Sequence, residues 1–326
     1  MTVDAPEQAA SRRFRVPPAL VWLVRAAVVG VVVGVVVKVG IDNYSSVRHI
    51  HLRLRPAWFA AAAPMNLACG VFMPLGWREI LDAFGARLPH RRAVRIWWTA
   101  QITRYVPAGA ALLAARVVLA GREGVPRVLA GATLPIEVGI LAAWGSLLTA
   151  AFLSGTVLVG WARILVGVAS AGLLAGLPLA LHIAGRLVPG IPRLASGRAG
   201  IAPSYRSVAL YGLNSVFRTF AFTALAAVLL PAHWSDVPLL AGAVNASSVA
   251  GLLSIAPGGL GVREGIMTLI LKSRFGFGDA AAVSVVLRGW DLCLDVAWFS
   301  ASRLAARRHE SAETRRARMV PPPGDP

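Results

Sequence analysis

The sequence predicts an all-α, polytopic membrane protein of about eight hydrophobic helical elements in two inverted repeats, two of the elements re-entrant. Three observations predict it. Hydrophobic residues make up 56% of the 326 residues and charged residues 15%, against roughly 25% charged in an ordinary soluble domain. A soluble core of this size cannot hide that much apolar surface from water. The apolar residues gather into runs near the roughly 20 residues that a spanning helix needs. Two Pro-Gly breaks, at Pro107 and Pro257, stand 150 residues apart.

The elements follow in order. Residues 1–18 are polar and hold a basic cluster of Arg12, Arg13 and Arg15, expected as a cytoplasmic N-terminal segment. Residues 20–41 form the first apolar run. No A-x-A-like site follows it, so it reads as a retained span rather than a signal peptide. Arg25 and Lys38 lie near its ends, where long side chains snorkel to headgroups. The second run covers 57–76, and a stretch rich in arginine follows (Arg78, Arg87, Arg91, Arg92, Arg95). A shorter third run, 96–106, ends at Pro107 and Gly109. Its Gln101, Thr103 and Arg104 make it a poor lipid-facing helix. Residues 110–119 are apolar again, and a polar turn precedes the fourth run at 128–153. The fifth run is 157–183, with Arg163 snorkelling near its end. A Gly/Pro/Arg linker occupies 185–206, and the sixth run is 207–230. The seventh, 237–256, ends in Pro257-Gly258-Gly259; a short amphipathic piece at 262–275 and the eighth run at 280–300 complete the series. The domain is expected at 19–303, with halves of about 20–153 and 157–303, and the basic, Pro-rich tail at 304–326 is expected to be disordered.

The halves match by spacing. Adding 150 to 57–76 gives 207–226, on the sixth run, and adding it to 128–153 gives 278–303, on the eighth. The first run maps onto the fifth only in part. Charge decides orientation. Eight full crossings with the N-terminus inside would leave Arg116, Arg122, Arg127, Arg186, Arg193, Arg198 and Arg206 outside, against the positive-inside rule. If the third and seventh runs enter, break and return, all seven move inside. Each half then has three crossings and the halves are inverted, with both termini cytoplasmic. Broken backbone at membrane depth must be buried in protein or line a wet cavity. Broken segments at matching positions of a repeat mark a transporter binding site.

The net charge of +18 comes from 33 basic residues, of which only Lys38 and Lys272 are lysines. Their place between apolar runs points to membrane orientation and anionic headgroups, not to nucleic acid. Cys69 and Cys293 fall inside apolar runs, so no disulfide framework or zinc site follows from them. The six histidines show no H-E-x-x-H pattern, no paired acidic motif is present, and no G-x-G-x-x-G follows a strand. No cofactor, no metal and no catalytic group is predicted.

Residues 254–271 carry the most chemistry. Pro257 ends a helix, and Gly258, Gly259 and Gly261 allow close backbone approach and positive φ. A new helix then starts with free N–H groups, which attract anions. Arg263 is placed to hold a phosphate with its fork of donors, and Glu264 suits a helix start. Charges inside apolar runs are costly and default to function. Arg104, Arg218 and Arg288 are therefore expected with Arg263 as headgroup ligands, beside the breaks at Pro107, Gly109 and Pro257. Glu137, Asp291 and Asp295 are expected to couple protons or conformation. Glu137 maps to position 287, so it is expected to face Arg288 across the pseudo-axis. Arg288, Asp291 and Asp295 share one helical face, for which internal ion pairing that fixes register is the competing role.

The stretch from Pro257 to Glu264 resembles the P-x-G-x-G-x-R-E-like signature of the lysylphosphatidylglycerol synthase/flippase transmembrane-region family. Tyr105-Val106-Pro107-Ala108-Gly109 is similar to that family's earlier Y-x-P-G-like break, with Ala108 where the family often has Gly, and Arg288 matches an arginine of its last helix. The resemblance covers roughly residues 15–305 and implies the lipid-translocating part. The aminoacyl-transfer domain fused to this region in well-known members has no counterpart in the 326 residues. The expected function is a flippase-like transporter in the plasma membrane that moves an anionic phospholipid or a polyprenyl-phosphate-linked lipid. The alternatives are a non-transporting partner of a separate lipid-modifying enzyme and a membrane-embedded lipid transferase.

Overall fold

The computed structural model describes residues 56–105, 111–153, 159–187, 192, 197–254 and 256–319. The expected first span, Pro107 and Gly109 lie outside them. Every regular element among the described residues is helical.

The first half holds α1 (Pro56–Ala83), α2 (His90–Gln101), a 3-10 turn (Ile102–Tyr105), α3 (Ala111–Gly121) and α4 (Arg127–Phe152). The second holds α5 (Gly160–Ala175), α6 (Leu177–Leu187), α7 (Arg198–Leu229), a turn (Trp234–Asp236), α8 (Val237–Leu253), a 3-10 turn (Pro257–Gly259), α9 (Val262–Phe275) and α10 (Phe277–Met319). Three segments are long and apolar enough to cross a membrane: Arg127–Phe152, Arg198–Leu229 and Trp234–Leu253. The pair Gly160–Ala175 and Leu177–Leu187 passes as one more, broken by a bend of 62°. The chain is thus a helical protein with membrane-length apolar helices.

Two pairs of helix starts stand about 150 residues apart. Arg127 opens α4 and Phe277 opens α10, 150 residues later, and α3 and α9 start at Ala111 and Val262. Packing repeats as well. The long α1 lies along α7. α4 packs on α8 and, in exchange, α10 packs on α2; α2–α3 and α3–α4 contacts recur as α8–α9 and α9–α10. The two 3-10 turns, Ile102–Tyr105 and Pro257–Gly259, touch each other.

Two apolar cores result, joined by α7. One gathers Trp77, Ile80, Trp97, Leu129 and Tyr211; the other gathers Phe222, Leu225, Leu240, Leu271 and Val283. Small residues let the helices close. A Cβ on Gly76 would stand 2.7 Å from the Tyr211 ring, and one on Gly212 would stand 2.6 Å from Trp144. That is how helices associate where lipid, as apolar as leucine, removes the hydrophobic drive.

Three expectations need correction. The arginine-rich stretch after α1 is not all loop, because α2 starts at His90 and carries Arg91, Arg92 and Arg95. Its Ala93, Ile96, Trp97 and Ala100 are buried while Arg91 and Arg92 are exposed, the 3.6-residue period of an amphipathic helix. The fifth run is a bent pair rather than one continuous helix, since Gly176 closes α5. The last helix does not end near 300 but continues to Met319, through Ala, Arg and Glu residues that favour helix.

Candidate functional site

Asp291 is the hub of the interior. It lies on the buried face of α10 and accepts two hydrogen bonds from Arg218 of α7, at 2.8 and 3.1 Å. Arg263, in the first turn of α9, reaches it at 3.3 Å, and Arg288, one turn earlier on α10, at 3.5 Å. Arg288 also donates to the carbonyl of Gly258 at 2.6 Å and pairs with Glu264 at 3.4 Å. One turn below, Asp295 pairs with Arg104 of the 3-10 turn after α2. Four arginines thus face three carboxylates, one positive charge in excess. An unpaired charge in such a place is prohibitive, and pairing makes it tolerable. Arg218 further lies over the Phe222 ring, 4.3 Å from its centroid.

The Pro257–Gly259 break positions Arg263. Gly258 and Gly259 have φ of 61° and 70°, open to glycine at no steric cost. A Cβ on Gly259 would stand 2.8 Å from the carbonyl oxygen of Gly251, so the break lies directly on α8. A Cβ on Gly251 would overlap the Arg263 side chain. Glu264 accepts from the Gly261 N–H at 2.7 Å and closes the first turn of α9. The Arg263 Nε is buried and has no hydrogen-bond partner among the described residues.

Two cavities open on this cluster. One of about 170 Å³ is bounded by Arg218, Arg263, Asp291, Gln101, Asn214 and three indoles, Trp97, Trp98 and Trp298. The other, about 250 Å³, runs past the Gly258–Gly259 break to Arg116 and Glu137. Gln101, Arg104 and Arg263 line both.

Glu137 does not face Arg288. It pairs with Arg116 of α3, both side chains buried, and accepts from Trp97 Nε1 at 3.1 Å. The Arg116 guanidinium rests against the rings of Trp77 and Trp97, 5.4 and 5.7 Å from their centroids. Arg116, counted from the sequence as a cytoplasmic loop charge, is 1% exposed. The reason is topological. The helices α3 and α9 each pack on the long helix that follows, which pairs Arg116 with Glu137 between α3 and α4, and Arg263 with Asp291 and Arg288 with Glu264 between α9 and α10; Arg104–Asp295 is a pair that crosses between the halves.

Of the residues singled out from the sequence, Arg104, Arg218, Gly258, Gly259, Gly261, Arg263, Glu264, Arg288, Asp291 and Asp295 come together; Glu137 lies apart, at the second cavity. Pro107 and Gly109 are outside the described residues. Sequence reasoning missed the role of Arg116, whose place in an apolar run already demanded a buried partner. It also missed Gln101 and Asn214 as cavity-lining amides. Among the described residues no three of His, Cys, Asp and Glu converge to hold a metal ion. Comparison with protein-family models gives no match, and comparison with curated proteins gives none.

Proposed function

We propose that the protein is an integral membrane lipid transporter of the flippase type, moving a lipid with an anionic headgroup, such as an anionic phospholipid or a polyprenyl-phosphate-linked lipid, between leaflets. The observation that carries this reading is the excess of positive charge around a cavity where the two 3-10 turns, Ile102–Tyr105 and Pro257–Gly259, meet. Irregular backbone inside a helical membrane protein belongs at a cavity, and broken helices at matching repeat positions are where transporters hold substrate. The resemblance of the Pro257–Glu264 stretch to the lysylphosphatidylglycerol synthase/flippase transmembrane region supports the same reading.

In this reading the two halves are inverted repeats, which the exchange of contacts between α4–α8 and α10–α2 supports. The protein resides in the cell membrane with both termini cytoplasmic, as the distribution of arginine supports. A phosphate oxygen entering the cavity competes with Asp291 for Arg263, whose Nε has a donor to spare, and for Arg218. Breaking and remaking these pairs lets the halves rock about the bound headgroup while acyl chains stay in lipid.

The test uses the purified full chain in vesicles carrying headgroup-labelled lipids, with leaflet exchange measured against protein-free vesicles. Faster exchange of anionic lipid than of zwitterionic lipid is expected. Exchange at the protein-free rate for every anionic lipid would remove the transporter reading.

A further inference from the structure

Resting on the lipid-transporter reading, we infer that two ion-pair clasps, Arg92 and Arg95 on Glu123 and Arg274 on Asp236, are the gates of the transport path, one at each membrane face, and that they open in turn. Each clasp closes the mouth of a broken hairpin. α2 runs from His90 to the Ile102–Tyr105 turn, and α3 returns to end at Gly121, two residues before Glu123. Arg92 and Arg95 share one face at the start of α2 and meet Glu123 at 2.6 and 2.9 Å. α8 starts beside Asp236 and runs to the Pro257–Gly259 turn, and α9 returns with Arg274 in its last turn. Arg274 holds Asp236 at two points, 2.8 and 3.1 Å. The polarity is reversed between the hairpins: the entering limb is basic in the first and acidic in the second.

The clasps lie at opposite ends of α4. Glu123 stands just before Arg127, where α4 begins. Leu153, just past its other end, packs on Gly242 near the start of α8, and Gly145 packs on Val249 further along. α4 is thus antiparallel to α8, and its 26 residues set the clasps about 39 Å apart at 1.5 Å per residue, comparable with a bilayer including its headgroups. α10 spans the same distance the other way. It starts three residues after Arg274, and its Asp295 and Trp298 meet Arg104 and Trp98 of the first hairpin.

The clasps are the bonds that give first. Arg116–Glu137 is sealed in the interior, whereas the Arg92 and Arg274 side chains are 57% and 46% exposed. An exposed ion pair shifts an equilibrium by no more than about fivefold, so thermal motion breaks it readily. The spaces behind the clasps are unequal. The 250 Å³ cavity lies between the limbs of the first hairpin, reaching Gln101 and Arg104 on one side and Leu112 and Arg116 on the other. Between α8 and α9, bounded by Ser247, Ser248, Arg263 and Glu264, the cavity is only about 30 Å³. The first hairpin is parted and the second is shut. Arg263 borders both spaces, so a headgroup held there passes from one to the other when the second clasp opens and the first closes.

The test uses the full chain with Cys69→Ala and Cys293→Ala, carrying Leu112→Cys as reporter of the larger cavity or Ser247→Cys as reporter of the smaller. A membrane-impermeant thiol reagent is applied to each face of oriented membrane vesicles. The Leu112 reporter should be labelled from the Glu123 face alone, and Glu123→Lys, which sets a third positive charge against Arg92 and Arg95, should quicken that labelling about fivefold. Arg274→Glu should do the same for the Ser247 reporter from the opposite face. Adding Arg92→Glu and Arg95→Glu to Glu123→Lys re-forms the first clasp with its charges exchanged, and should restore the original labelling rate, which also reports folding. Leaflet exchange of anionic lipid should fall severalfold in Glu123→Lys and in Arg274→Glu, because a gate that stays open halts the cycle. Labelling of either reporter from the wrong face, or labelling rates indifferent to both clasp variants, would overturn the inference. Clasp-dependent labelling without leaflet exchange would keep the gates and remove the transporter reading; leaflet exchange with clasp-independent labelling would do the reverse.

Discussion

Arg218 and Asp291 meet as a two-point pair across α7 and α10, both guanidinium nitrogens on both carboxylate oxygens at 2.8 and 3.1 Å. The pair ties the helix shared by both apolar cores to the helix that carries the charged face. Because Arg263 and Arg288 lean on the same carboxylate, its loss has consequences beyond one contact.

Asp291→Asn leaves three arginines short of a counter-charge. Removing one partner of a buried pair costs about 3–5 kcal/mol, so a marked fall in thermal stability of the purified protein is expected. Arg218→Leu combined with Asp291→Leu removes both charges and should be less damaging than the sum of the single changes. Strict additivity in a double-mutant cycle would mean that the two side chains do not interact.

Arg263 touches Asp291 through one nitrogen and has a spare donor. Arg263→Lys keeps the charge and loses the planar fork. Transport per folded molecule should fall about tenfold, and further in Arg263→Ala, with expression and membrane insertion near wild type. Undiminished transport in Arg263→Ala would leave the break a structural turn.

Gly259 and Gly265 separate two effects of a methyl group. Gly259→Ala forces a positive φ on a side chain and drives its Cβ into the Gly251 backbone, a strain on the order of 1–3 kcal/mol. Gly265 is helical with open space around its Cβ, so Gly265→Ala should be neutral or stabilise by up to about 1 kcal/mol. Unfolding midpoints of the two variants should move in opposite directions or only for Gly259; a greater loss at Gly265 would contradict the packing of the break on α8.

The Arg116–Glu137 pair is sealed among indoles. Glu137→Gln leaves an uncompensated buried guanidinium and is expected to lower stability by about 3–5 kcal/mol. Arg116→Met with Glu137→Leu should recover much of it. If Glu137→Gln changed neither the unfolding midpoint nor transport, the pair would have no structural weight.

Composition and the length of apolar runs were enough to read this chain as helical with apolar helices of membrane-spanning length, because the cost of exposing or burying a side chain is local and sums along the sequence. The Pro257 break, the 150-residue spacing and the charges Arg218, Arg263, Arg288, Asp291 and Asp295 were legible for the same reason: a proline, a glycine or a charge inside an apolar run is costly wherever it lies. The amphipathic period of α2 was legible too, and a count of its arginines hid it. Partnership was decided by the tertiary structure alone. Whether Glu137 meets Arg288 or Arg116 depends on how α3 and α4 are rotated and crossed, and no periodicity within either helix encodes the angle of the other. Gln101 and Asn214 are ordinary polar residues in the sequence. Only the packing of α2, α7 and α10 brings them to the lining of one cavity.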